Sequence, residues 1–293
     1  MITPLEQYAE LGQAIGAKDL WFKREDLHPY GSHKGRSISH MIDHYELAGE
    51  RKFAISSSGN AALAAALHVK KLNKSKGKDG STDLDIFIGL HIDPKKADKL
   101  KALADEHIRV LSKERPLQAL NEATKAGDRS LRQSVDDIAL LGYGSLADEL
   151  GAYEGLGAIF IGTSSGTTAQ ALAQYFAKNN LPVQIHIVQT STCHPMAEVF
   201  ENYDGPPEEH SLAGAIVDKI VMRKPALIPL IEYSGGRGWI ATNEDIQAAY
   251  ELTLKYTGLT LSPNSALSVV GVMKAVAAGH KLRGAVVCMI CGD

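Results

Sequence analysis

The sequence predicts an α/β protein of two lobes, each a largely parallel, helix-flanked sheet. Three observations carry that expectation. Short β-branched and aromatic runs alternate with longer amphipathic or alanine-rich runs along the chain, and strand, helix, strand is the succession a parallel sheet requires. Several strand runs are continuously apolar rather than alternating, as expected when both faces of a sheet are covered. The length of 293 residues suits one compact unit or two lobes sharing a cleft.

The expected strands are "LWFKR" (20–24), "KFAISS" (52–57), "DIFIGLHI" (85–92), "IRVLS" (108–112), "AIFIGT" (158–163), "QIHIVQ" (184–189), "GWIAT" (238–242) and "GAVVCMIC" (284–291). Helical patterns fall between them over 34–50, 60–74, 94–106, 115–126, 145–153, 168–179, 243–257 and 264–279. The polar, glycine-containing stretch 73–83 and the acidic, proline-paired stretch 201–211 read as mobile loops. The βα rhythm restarts near "LLGYGS" (140–145), which divides the chain into a larger lobe, 1–50 with 145–293, and a smaller one, 51–144.

Charge and composition narrow the function classes. Thirty-one basic against 34 acidic side chains leave a formal charge of −3, with no broad attraction for nucleic acid or an anionic membrane. The opening "MITPLEQYAELGQ" lacks the pattern of a secretory signal, and no apolar run approaches a bilayer's width. Three cysteines argue against a disulfide scaffold and fit a reducing, cytoplasmic compartment.

Three turns carry chemistry. "GSHKGR" (31–36) opens a helix with Lys34, which by itself reads as an ordinary exposed lysine. "SSSGNAALAAA" (56–66) ends a strand in three serines, a glycine and an asparagine. Hydroxyls and free N–H groups at a helix start suit a carboxylate, although one serine would suffice for a cap. "IFIGTSSGTTAQALAQYF" (159–176) feeds a strand into a glycine, serine and threonine loop before a helix. It has neither the Gly-Lys-Ser/Thr of a nucleotide loop nor G-x-G-x-x-G spacing, so it reads as a cradle for one phosphate monoester. A parallel sheet sets such loops along the carboxyl ends of its strands. A lysine, a carboxylate site and a phosphate cup on one cleft would suit a phosphorylated aldehyde bound to lysine, and pyridoxal 5′-phosphate meets that description.

These motifs, in this order and across nearly the whole chain, resemble the fold type II pyridoxal-phosphate enzymes, the superfamily of tryptophan synthase β, cysteine synthase, serine/threonine dehydratase and threonine synthase. The resemblance implies an active site in the cleft between a larger, cofactor-binding lobe and a smaller, substrate-side lobe. It makes Lys34 of the "G-S-x-K" segment the Schiff-base lysine, and after its release the base that removes the substrate's α-proton. Asn60 of "S-x-G-N" would bond the cofactor ring's phenolic oxygen, while Ser57, Ser58 and Gly59, with Asn60, would hold the substrate carboxylate. Gly162, Thr163, Ser164, Ser165, Gly166, Thr167 and Thr168 would cradle the cofactor phosphate, and Cys291 of the "ICGD" ending would face the pyridine nitrogen.

Within the superfamily the second half is similar to threonine synthase, through "SLAGAI", "EYSGG", "IATNEDI" and "SPNSA", and "GYGSLADEL" (142–150) is similar to that branch's "G-x-K-T-I-A-x-E-I". Other positions depart from it. His33 replaces the usual phenylalanine or valine, which implies a contact with the cofactor phosphate as in tryptophan synthase β. Gly35 stands where threonine synthases usually carry aspartate, "GTSSGTT" is nearer to cysteine synthase, and Cys291 is a dehydratase-like choice. The resemblance therefore implies β/γ-elimination or replacement on a small amino acid, O-phosphohomoserine to threonine first, with dehydration or cysteine synthesis as alternatives. A non-catalytic amino-acid or cofactor sensor is a more distant one. A phosphorylated substrate would need a second anion site, for which His33, Arg129, Arg132 and Ser134 are candidates. The family's enzymes are often dimers, so a homodimer is an expectation.

The remaining constellations read as structural. Arg36 is expected on the surface or in an ion pair. Cys288 and Cys291 have C-x-x-C spacing but lie on a strand, where residues three apart face opposite sides, so no metal site is expected. Cys193 and His194 are adjacent and point apart; Asp136 and Asp137 suit a helix cap.

Overall fold

Two sheets organise the chain, and each belongs to its own compact unit: residues 1–28 with 143–293, and residues 29–142. The computed structural model describes residues 2–76, 80–90, 92, 94–206 and 208–292. In chain order the first elements are β1 (Leu5–Gln7), α1 (Ala9–Ile15) and β2 (Leu20–Arg24). The smaller unit contains α2 (Lys34–Leu47), β3 (Lys52–Ser56), α3 (Asn60–Lys76), β4 (Asp83–Gly89), α4 (Pro94–Lys101), β5 (Ile108–Lys113), α5 (Pro116–Lys125), β6 (Arg129–Ser130) and α6 (Ile138–Leu141). The larger unit resumes with α7 (Gly144–Gly151), β7 (Leu156–Gly162), α8 (Thr167–Lys178), β8 (Gln184–Thr190), α9 (Lys224–Ser234), β9 (Gly238–Ala241), α10 (Asn243–Thr257), α11 (Pro263–Ala277) and β10 (Ala285–Ile290).

The larger unit's sheet has the order β1-β2-β10-β7-β8-β9 and is parallel except for β1, which runs antiparallel to β2. Every residue of β8 and β10 is buried, so their apolar and β-branched runs serve two covered faces. One face receives α11 at close range. A Cβ on Gly271 would lie 2.5 Å from Val188 and 2.7 Å from Phe160, so only glycine lets this helix approach β7 and β8. The core gathers Phe22, Phe160, Val188, Trp239, Leu267 and Val286. The smaller unit's sheet has the order β5-β4-β3-β6 and is wholly parallel, with Ile38, Met41 and Ile42 of α2 packed among Ala62, Ala65, Ala66 and Val69 of α3.

All eight expected strands and all eight expected helices are present, with ends shifted by a few residues. Five elements were not foreseen. β1 and β6 are too short to form a pattern, α1 contains Gly12, α6 is a single turn, and α9 carries Pro225 in its first turn and Pro229 inside. The division into units also differs from the expected one. Residues 29–50 pack with the smaller unit, because α2 shares its core and the Ser37 hydroxyl donates to the Ala139 carbonyl at 2.8 Å. A Cβ on Gly142 would lie 2.6 Å from the Ser37 Cα, so that glycine admits α2 there. The expected loop 73–83 begins later than its polarity implied, since α3 continues through Lys76. Its residues 77–79, residue 91 of the expected strand 85–92, and Pro207 of the expected loop 201–211 lie outside the described residues. Among the described residues no helix is long and apolar enough to cross a membrane.

Candidate active site

Lys34 is the first residue of α2, half-buried, and His33 occupies the N-cap position at 9% exposure. Two residues earlier, Ser32 is fully buried and its hydroxyl has no partner among the described residues. A buried hydroxyl without a partner is costly, so this one points to a group from outside the chain. Asn60 is the first residue of α3, reached from β3 through Ser57, Ser58 and Gly59, all half-buried. The Gly59 N–H donates to the Ser57 hydroxyl at 3.3 Å, which bends the turn. A Cβ on Gly59 would meet nothing within 4 Å, so the chain's own packing does not demand glycine there.

The two helix starts lie at the same end of the helix pair. Four residues link the end of α2 to the start of β3, and three link the end of β3 to α3, so both helices run against the strand. The imidazole of His68 ties them in register, with Nε2 bonded to Asp43 at 2.7 Å. Asp43 is nine residues beyond Lys34 and His68 eight beyond Asn60. The other ring nitrogen meets the Tyr30 hydroxyl at 2.8 Å, anchoring the segment that leads into Lys34. Burial, and then the Asp43 charge, raise the Tyr30 phenol above its ordinary value.

Beside β3, the chain leaves β6 into Arg132 and Ser134. Arg132 donates from Nε to the Ser134 hydroxyl at 3.2 Å, and the Leu131 N–H bonds the Ala54 carbonyl of β3 at 2.9 Å. Arg132 and Ser134 thus follow the carboxyl end of the strand neighbouring the Ser57–Asn60 turn. Arg129, the other basic candidate, is committed to Glu50 at 2.6 Å and lies over the Tyr45 ring. Arg36 is buried at 5% exposure, so of its two expected roles, surface residue or ion-pair member, the first does not hold.

In the larger unit, Gly162 ends β7 and Gly166 caps α8 with a φ of +85°. Their own packing requires both glycines: a Cβ at 162 would lie 2.8 Å from the Asn264 carbonyl oxygen, and one at 166 would lie 2.9 Å from Leu227. Between them Thr163 is buried, donating to Ile161 O at 2.8 Å, while Ser164 and Ser165 are half-buried. Ser165 and Thr167 share a hydrogen bond of 2.9 Å, and Thr167 and Thr168 are buried in the first turn of α8. First-turn N–H groups have no intrahelical acceptor, so they and these hydroxyls form a donor set suited to phosphate. Ser164 is turned elsewhere: its hydroxyl donates to Asp218 at 3.0 Å and accepts from the N–H groups of Val217 and Asp218.

Cys291 lies one residue past β10, beside β7 in the sheet, so it and the 162–168 loop leave the carboxyl ends of neighbouring parallel strands. Successive strands proceed from β7 to β8 and β9 on one side, and β10 and β2 lie on the other; ligands bind at such switch points. Cys291 is buried, and its N–H donates to the Ser265 hydroxyl at 3.1 Å. The Ser262 hydroxyl bonds the Gly292 carbonyl at 2.9 Å. Cys288 is enclosed within β10, and burial pushes its thiol above the usual range. Cys193 is also buried and its thiol raised, while His194 bonds the Thr190 carbonyl at 3.0 Å.

Sequence reasoning missed Ser32, Asp218, Ser262 and Ser265 around these turns. The helix start "SPNS" was legible as a cap, but its hold on the chain's last residues joins positions nearly thirty apart.

Comparison with known proteins gives the family and agrees with the α/β fold. Residues 2–292 match the family described as pyridoxal-phosphate dependent enzyme. A threonine synthase of Mycobacterium leprae is 25% identical over 308 residues, covering 99% of this chain and 81% of that protein. A human protein named serine dehydratase-like is 38% identical over a shorter stretch of 72 residues, 25% of this chain and 22% of that one. Among solved structures, a pyridoxal 5′-phosphate-dependent aspartate racemase superposes with a TM-score of 0.82 at 18% identity, covering 100% of this chain and 90% of that one. The orphaned Ser32 hydroxyl and the donor set at the start of α8 each fit that cofactor. The chain belongs to the family of pyridoxal-phosphate-dependent enzymes, and pyridoxal 5′-phosphate is its cofactor.

Proposed function

We propose that the protein is a lyase acting by β/γ-elimination or replacement on a small amino acid, with the threonine synthase reaction, O-phosphohomoserine to threonine, as its activity. The observation that carries the reading is the pairing of Lys34 and Asn60 as the first residues of two helices held in register by Asp43 and His68. The likeness to a threonine synthase over 99% of this chain favours that reaction within the family.

In this reading Lys34, with His33 and Asn60, holds the cofactor from the smaller unit, while Gly162 through Thr168 receive its phosphate and Cys291 faces its ring nitrogen. Ser164 acts indirectly, by fixing the loop to Asp218. When bound, pyridoxal phosphate supplies a conjugated ring that withdraws electrons from the substrate's α-carbon. The Lys34 amine removes the α-proton. Ser57, Ser58 and the N–H groups of Gly59 and Asn60 orient the substrate by its carboxylate, and Arg132 with Ser134 offers donors to a distal phosphate. Cys291 offers a weak thiol donor rather than a carboxylate, so it does not favour a protonated ring.

The test is an assay of the purified holoenzyme with O-phosphohomoserine, threonine, serine and O-acetylserine separately. Threonine and inorganic phosphate from the first substrate are expected, with Lys34→Ala losing both the yellow colour and turnover. Ammonia and a keto acid from serine or threonine, without threonine synthesis, would establish the second reading, a serine/threonine dehydratase, which the 72-residue likeness favours. A yellow, active Lys34→Ala protein would overturn the site assignment.

A further inference from the structure

At the amino ends of β8 and β9, away from the phosphate loop, the larger unit contains a cavity of about 700 Å³, a volume ordinary for a small-molecule site. Gln184 begins β8, whereas the loop 162–168 leaves β7 at the level of Val188, so Gln184 lies toward the opposite end of the same strands, about 13 Å away by strand rise. The cavity's walls include Arg237, Lys281, Arg283, Trp239, His280 and Gln184, and no carboxylate lines it. The chain as a whole is acidic, at −3, yet among the described residues none of these three cations is ion-paired.

Their donors are largely unspent. The Arg283 guanidinium reaches only the backbone carbonyls of Ser234 at 3.2 Å and Pro182 at 3.4 Å. Arg237 donates one Nη2 hydrogen to the Phe200 carbonyl, while its Nε is buried without a partner. A guanidinium has five N–H donors, so most remain to be satisfied. The Nε2 of His280 is likewise buried and unpartnered. Behind it His186, fully buried, stacks on Phe160 at 4.3 Å and accepts from Trp239 Nε1 at 3.2 Å. That bond leaves the ring proton on His186 Nε2, which has no hydrogen-bond partner, and the ring meets His280 edge-on at 5.1 Å.

We propose that this cavity is a second ligand site, for a phosphate group, held by the Arg237 and Arg283 forks and the Lys281 ammonium. Three unpaired cations match a phosphate dianion better than a monocarboxylate, which would leave more charge uncompensated, and guanidinium forks fit its oxygens in pairs. The group could arrive as free phosphate or on a phosphomonoester whose organic part lies toward Trp239 and His280.

The experiment is isothermal titration calorimetry of the holoenzyme, freed of excess cofactor, in phosphate-free buffer of low ionic strength. Inorganic phosphate and adenosine 5′-monophosphate are the probes, with adenosine as the uncharged control. Saturable binding of either phosphate probe at one site per chain, with no binding of adenosine, is the expected result, and the tighter probe names the source. Lys281→Glu changes an exposed side chain with no hydrogen bond among the described residues, and it should weaken binding at least tenfold, as should Arg283→Ala. No saturable binding of either probe, or unchanged affinity in folded Lys281→Glu protein, would overturn the proposal.

Discussion

Gly59 has an ordinary backbone and open space where its Cβ would be, so alanine fits the empty protein there. If the turn receives the substrate's carboxylate as proposed, the added methyl group intrudes on that ligand and on nothing else. Gly59→Ala should therefore leave thermal stability unchanged while raising KM for the amino acid roughly tenfold, about 1.4 kcal/mol of binding. His186 offers a second residue-level test. Burial, followed by the neighbouring His280, holds its pKa down to about 3. Below pH ~6.5 the unfolded chain takes up a proton that the folded chain refuses until about pH 3, so stability is lost as pH falls through that window. Urea unfolding should show this as a slope of about 1.4 kcal/mol per pH unit from this one group, absent in His186→Phe. The helix starts at Lys34 and Asn60 and the turn 162–168 were legible as turns because their neighbours in sequence are their neighbours in space. Ser164's partner Asp218 was not, because 54 residues separate them.

At the scale of elements, α10 was read correctly at both ends because its start signal is local. The Thr242 hydroxyl accepts from the Asp245 N–H at 3.1 Å, and the Asp245 carboxylate accepts from the Thr242 N–H at 2.9 Å. Thr242→Ala should lower the unfolding free energy by about 1 kcal/mol in urea titration, without changing turnover. The opposite case is α9, whose internal Pro229 reads as a helix breaker and whose helical state depends on burying Leu227 and Ile231. Another tie invisible locally is the ion pair of the buried Lys23 in β2 with the part-buried Glu149 in α7, where Lys23 also donates to the Thr3 carbonyl at 2.7 Å. Lys23→Met alone takes the cation from the part-buried Glu149 carboxylate, which keeps its bond from the Thr3 N–H, and should cost about 3 kcal/mol, whereas Lys23→Met with Glu149→Leu should recover most of the loss. Chemical denaturation of the single and double variants checks both figures.

For the whole molecule, the cofactor is a stability term as well as a chemical one. It binds the folded protein, so at a free concentration of about 100 times its dissociation constant it should add about 2.7 kcal/mol. Stripping it should lower Tm, and adding it back should restore Tm in proportion to the logarithm of its concentration. Differential scanning calorimetry across a titration measures this, and in Lys34→Ala the dependence should weaken. The sequence by itself determined the class of fold and the order of the chemical turns, because period, strand composition and Gly/Ser/Asn punctuation act over a few residues. Tertiary structure alone decided that α2 belongs with the smaller unit, since Ile38, Met41 and Ile42 find their partners on α3. It alone brought Cys291 beside the loop after β7, through a parallel pairing of strands more than a hundred residues apart. It also gathered Arg237, Lys281 and Arg283 around one cavity. Such associations depend on burial and strand order, which no short window of sequence contains.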